Sequence, residues 1–230
     1  MSGGYLGGQE MISPLGKISL EALFKQPVMF DANIFMVGIE NRPSDPNCAF
    51  ENIEKLFLIP VFESFSNIII HEKVYGELDE ETKKFIDTYQ NPKVQIVTEN
   101  GLYGTDPLYT VIFNAIADHE RVKYTRGHSK NQGEVYSLAY AAYNKISYFS
   151  SKEIMVDLLA KDLPELRDVE IITFDVIVLL SYLYYMKRKD VSNNKAFKSV
   201  YKRFCEDVIK RHRLPGTLSE YVKESIPYIG

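Results

Sequence analysis

Five short apolar runs, each followed by a segment with helical spacing, set the narrowest limits on how this chain folds. The runs are Val28–Phe30, Asn67–Ile70, Val94–Val97, Ile146–Phe149 and Val169–Ile172. They have strand length, and turn formers or capping residues separate each from the next segment. Between them, Leu108, Val111, Ile112, Ala115 and Ile116 fit the i, i+3, i+4, i+7, i+8 template of an amphipathic helix. Val135, Leu138, Ala139, Ala142, Tyr143 and Ile146 mark the apolar face of another. A third holds Ile154, Met155, Leu158 and Leu159, and a strongly apolar one runs to Met186. Alternating strands and helices predict an α/β fold: a mainly parallel sheet covered by helices on both faces. A chain of 230 residues is long enough for one large core with an appended subdomain.

Punctuation agrees with this division. Asp79 is placed to cap the helix carrying Phe85 and Ile86, and Asp106-Pro107 has a capping residue with proline at the first helical position. Ser150 with Glu153, and Thr217 with Glu220, have capping-box spacing. Thr173 can cap the long apolar helix, and Pro60 is expected to stop or kink the helix begun at Phe50.

The first run ends on Asp31, with Asn33 two residues on. A carboxylate buried there unpaired is costly, so it calls for a cap, a cation or a metal. In parallel sheets the functional crevice lies beyond the carboxyl ends of the strands, where Asp31, Ser150-Ser151 and Thr173 all fall. Glu77 borders the apolar line of Val74 and Leu78. Glu134 sits in the first turn of its helix, where the helix dipole favours negative charge.

This order, with Gly133-Glu134 opening an Ala-rich helix through Ala139 and Ala141, resembles the PIN domain family of metal-dependent nucleases. It is most similar to the toxin ribonucleases of toxin–antitoxin pairs. The resemblance spans about Val28 to Met186 and implies a PIN-like nuclease domain over 28–186. An N-terminal segment, 1–27, precedes it, and a basic helical C-terminal extension, 187–230, comes after. It further implies hydrolysis of RNA phosphodiester bonds, with Asp31, Glu77 and Glu134 catalytic and holding Mg²⁺ or Mn²⁺. Hard oxygen donors suit those ions, which neutralise a crowded anion and activate water. An antitoxin-like protein inhibitor and a homo-oligomer are implied as partners beside RNA.

Where the family has a further Asp, this chain has Ser151. Glu153 is then a substitute metal ligand, in competition with its capping-box role. Asn33, Ser151 and Thr173 are expected around the acids rather than on the metal. The alternative reading is a PIN-like nucleic-acid-binding or scaffold module with weakened catalysis. A third is an unrelated α/β protein whose carboxylates never meet.

Charge is uneven. From Lys187 to Arg213 there are ten Lys/Arg against three Asp/Glu, in a chain of net charge −4. Lys198 and Lys202 on that stretch, and Arg126 and Lys130 just ahead of Glu134, are candidate nucleic-acid contacts. Phosphate-loop spacing is absent, the four histidines are scattered, and Cys48 and Cys205 have no motif spacing. Two cysteines without a disulfide framework make a reducing cytoplasm the expected setting, and no apolar stretch is long enough for a membrane span.

Overall fold

The structure, a computed structural model, describes residues 20–42, 44–89, 94–123, 131–188 and 194–225. Five strands, β1 (Val28–Phe30), β2 (Ile68–His71), β3 (Val94–Val97), β4 (Tyr148–Ser151) and β5 (Glu170–Thr173), form one sheet in the order β3-β2-β1-β4-β5. Every neighbouring pair is parallel. The expected α/β fold with helices over both faces is therefore what forms.

Alternation along the strands explains the two layers. Val28 and Phe30 of β1 point into one core and Met29 into the other; Ile68 and Ile70 of β2 oppose Ile69 in the same way. A period-2 backbone buried on both faces needs apolar residues at every position, and β1 and β2 supply them. The first core takes in α1 (Leu20–Lys25), α2 (Ala32–Phe35), α3 (Phe50–Ile53), α4 (Ile59–Ser64), α5 (Glu72–Glu77) and α6 (Glu80–Thr88). The second is built by α7 (Pro107–Asp118), α8 (Glu120–Lys123), α9 (Gln132–Tyr143) and α10 (Ile154–Asp162). The long helix α11 (Phe174–Lys187) and the helices after it, α12 (Asn194–Phe204), α13 (Glu206–His212) and α14 (Leu218–Ser225), return to the first core.

These last helices are packed into that core through Phe197, Val200, Tyr201, Cys205, Leu218 and Tyr221. Phe204 lies over Gly38, where a Cβ would stand 2.9 Å from its ring and the backbone is left-handed, φ +73°. Arg203 pairs with Asp45 at 3.0 Å. Asp175, to which the sequence assigns no role, is buried and accepts a 2.8 Å hydrogen bond from the Tyr221 hydroxyl, tying α14 to the start of α11.

Four local expectations are changed in whole or in part. Of the stop or kink expected at Pro60, the stop does not occur: a π-helical turn over Glu54–Leu58 precedes the proline, and the helix continues to Ser64. The Ser150–Glu153 capping box does not form, because Ser150 pairs in β4 and Glu153 itself takes the cap position of α10 without a side-chain bond. On α7 the buried face is Tyr109, Ile112, Phe113, Ile116 and Ala117, and Leu108 and Val111 are exposed. Thr173 holds the cap position of α11, but its hydroxyl makes no capping bond. Asp79, Asp106 and Thr217 cap their helices as expected. Among the described residues no helix is long and apolar enough to cross a membrane.

Candidate active site

The sheet changes direction at β1. Connections run from β1 to β2 and β3 on one side, and β4 and β5 lie on the other. Such a switch point opens a crevice at the carboxyl ends of the two strands beside it. Asp31 stands there: its backbone N–H donates to the Ser150 carbonyl at 3.0 Å, carrying the β1–β4 pairing one residue past the strand.

The Asp31 carboxylate is almost wholly buried, 1% exposed, and both oxygens are engaged. Oδ1 accepts from the Ala32 N–H at 2.8 Å. Oδ2 accepts from the Asn33 amide at 2.6 Å and the Ser151 hydroxyl at 2.9 Å. Asn33 also donates to Ser151 Oγ at 3.1 Å and accepts the Lys152 N–H at 2.9 Å. Ser151 Oγ accepts the Glu153 N–H at 3.1 Å. The turn after β1 and the turn after β4 are thus laced together around one carboxylate. The serine at the position expected to be acidic spends its hydroxyl on holding Asp31.

Glu77 reaches the same place from α5. Its Oε1 accepts the Gly133 N–H at 3.1 Å. A Cβ on Gly133 would lie 2.9 Å from Glu77 Oε1 and 3.1 Å from Val74, so the missing side chain is what admits Glu77 against the start of α9. Lys73, a plausible surface partner for Glu77, forms no ion pair with it among the described residues. Glu134, the next residue, is 8% exposed, and its Oε2 is buried without a hydrogen-bond partner. Its burial follows from α9 being covered nearly all round in its first half, from Gly133 to Ala139.

The acids feel one another's charge. Burial pushes Asp31 well above the ordinary carboxylate range, and the Glu134 charge adds to this; the Ser151 and Ala32 hydrogen bonds oppose it, and Glu77 raises it further. Burial likewise pushes Glu134 up to about 7; its own backbone N–H opposes, while Glu77 and Glu153 add. Glu77 is raised by burial and partly restored by the Gly133 N–H. Like charges that must ionise side by side with little solvent resist doing so.

Asp31, Glu77 and Glu134 thus lie within range of one another's charge, with Glu153, exposed, near Glu134. Asn33 and Ser151 support Asp31 directly; Thr173 closes β5 alongside. Lys198 and Lys202 are exposed on α12. Arg126 and Lys130 lie outside the described residues.

Sequence reasoning missed His71. It ends β2 as Asp31 follows β1, is fully buried, and accepts the Lys73 N–H at Nδ1 while Nε2 has no partner. Burial, then the Lys73 charge, pushes it down to about 4, so it is neutral at neutral pH. Its position at the end of an Ile-Ile-Ile run was the signal that could have found it.

The donor set is hard oxygen and is short of positive charge, which fits Mg²⁺ or Mn²⁺ by type. Among the described residues, no three His, Cys, Asp or Glu side chains are arranged to hold a metal ion as they stand. The fit is therefore one of charge and chemistry. Comparison with protein-family models, curated proteins and solved structures returns no match.

Proposed function

We propose that this chain is a PIN-like, divalent-metal-dependent endoribonuclease whose carboxylates are Asp31, Glu77 and Glu134. The observation that supports the reading is that three acidic side chains from separate elements lie within range of one another's charge by the sheet's switch point, two of them buried. Acids so placed raise one another's proton affinity, an arrangement that favours a cation between them. A bound Mg²⁺ or Mn²⁺ would be held by these three, with Glu153 at its edge, and would supply charge neutralisation at the phosphate and an activated water.

The chain's own part is orientation and proton control. Ala32, Asn33 and Ser151 hold Asp31 in one rotamer, and Gly133 holds Glu77. Glu134 carries a proton near neutrality and must release it to accept a cation. The test is cleavage of single-stranded RNA by the full chain with Mn²⁺, beside Asp31→Ala. Loss of cleavage in the variant is expected; equal cleavage by both proteins overturns the reading.

A second reading, a PIN-like module that binds nucleic acid with weakened catalysis, is favoured by one observation. The Ser151 hydroxyl is fully occupied by Asp31, Asn33 and Glu153, so it brings neither charge nor a free donor to a cation. Binding of RNA without cleavage in Mn²⁺ would select it.

A further inference from the structure

Along α5, α7 and α9, at the rim of the second core, lies a row of aromatic rings. Tyr103, in the turn before α7, is 47% exposed. Its ring stands 4.7 Å from Phe113, which stands 4.8 Å from Tyr136 in the first turns of α9. Phe113 is buried and forms the floor; Tyr136 is half-buried. His71 underlies Tyr136 at 5.7 Å and 32° between planes, which fixes one face of that ring. The Lys73 ammonium lies 5.4 Å from the Tyr136 ring centre. It makes no ion pair among the described residues.

Lys73 lies one helical turn from Glu77 on α5, so the cation over Tyr136 starts about 6 Å along the helix from that acid. We infer that Tyr103 and Tyr136, with Lys73 beside them, are a stacking shelf for single-stranded RNA next to the reacting phosphate. This rests on reading the carboxylate site as a ribonuclease.

Two physical points carry it. Base stacking on an aromatic ring is stronger than an exposed cation–π contact, so a base can replace Lys73 over Tyr136. Lys73, on a flexible stem, is then free to meet the next phosphate along the strand. Glu72 and Glu99 also lie near Tyr136, so the backbone passes on the Lys73 side and most of the affinity comes from stacking. A duplex, whose bases have no free faces, gains nothing from the shelf.

The experiment measures binding of a fluorescent 2′-O-methyl single-stranded RNA to the full chain in EDTA, so that no cleavage can occur. Tyr136→Leu and Tyr103→Ala should each weaken binding about 5- to 150-fold, and Tyr136→Phe should bind as wild type. Lys73→Gln should lower the salt dependence of log K by about 0.7. Tyr103 is exposed, so its variant keeps the test valid if Tyr136→Leu does not fold. Wild-type affinity in both aromatic variants overturns the shelf, as does equal affinity for a duplex of the same sequence. If Asp31→Ala cleaves like wild type while the tyrosine variants bind poorly, the nuclease reading fails and the shelf stands. If Asp31→Ala loses cleavage while both tyrosine variants bind normally, the shelf fails and the nuclease stands.

Discussion

Replacing Glu134 with glutamine should stabilise the metal-free protein, and only above about pH 5. Burial and the neighbouring acids raise this carboxyl from 4.5 to about 7 in the folded chain. At 1.36 kcal/mol per pKa unit the difference is worth about 3 kcal/mol. The sign follows from proton counting. Between the unfolded and folded values the native state binds the extra proton, so stability falls as pH rises through that window. Above about pH 7 the penalty is complete; well below 4.5 it vanishes. The substituted amide is neutral throughout, and its carbonyl can still accept the backbone N–H that the carboxylate uses. For a chain of this length ~3 kcal/mol is roughly 6–12 °C in Tm. The assay is a series of thermal melts in EDTA from pH 4.5 to 8.5 on wild type and Glu134→Gln. The variant should melt higher at pH 8 and converge on wild type at pH 4.5. A smaller slope should remain in the variant, since Asp31 is raised in the same direction. Equal melting temperatures at pH 8, or a pH-independent offset between the proteins, would refute the claim that the fold penalises ionisation of this buried carboxyl.

Gly133→Ala should lower RNA cleavage more than stability: alanine gains about 1 kcal/mol in helix propensity, while its Cβ would displace Glu77 from 2.9 Å; cleavage rate and Tm measured together check it. Ser151→Ala removes a hydroxyl bonded to the buried Asp31 carboxylate and should cost about 1.5–3 kcal/mol at pH 8, read by urea unfolding in EDTA. Tyr221→Phe leaves buried Asp175 without its 2.8 Å donor and should cost ~1–3 kcal/mol by the same measurement, with RNA cleavage at a permissive temperature unchanged.

The sheet was legible because its inner strands β1, β2 and β4 are buried on both faces, while the edge strands β3 and β5 keep Val94, Ile96, Val97, Ile171 and Ile172 in short runs. Their ends were less so: β2, β4 and β5 each run past the apolar stretch into His71, Ser150-Ser151 and Thr173. Of these polar residues Ser151 bonds Asp31, and hydropathy alone stops short of it. The misplaced capping box has this cause. Ser150 with Glu153 has the right spacing, but Ser150 pairs with β1 inside β4 and the cap position of α10 falls three residues later, on Glu153.

Helix faces failed for a different reason. Leu108, Val111, Ile112, Ala115 and Ile116 fit the amphipathic template, and so does the set one residue later, Tyr109, Ile112, Phe113, Ile116 and Ala117. Periodicity cannot choose between two apolar registers on one helix. Ring packing chooses: Tyr109 meets Tyr143 at 5.5 Å and Phe113 meets Tyr136 at 4.8 Å, contacts the aliphatic register could not make.

The same choice of register shapes the candidate site. Turning Phe113 inward places it under Tyr136, and Tyr136 then lies over His71 at the end of β2. On α9 the opposite side of the first turn carries Glu134 toward Asp31, while Gly133 meets Glu77. One short helix therefore has a carboxylate facing the switch point and an aromatic ring facing the next element, with a glycine between them where α5 comes closest. Neither side is amphipathic in the usual sense, since Gly133, Glu134, Val135 and Ser137 are all buried. A search for one apolar stripe finds Val135 and Leu138 and passes over Glu134. The acid became visible through its place in a motif, and its environment through the helices that surround it.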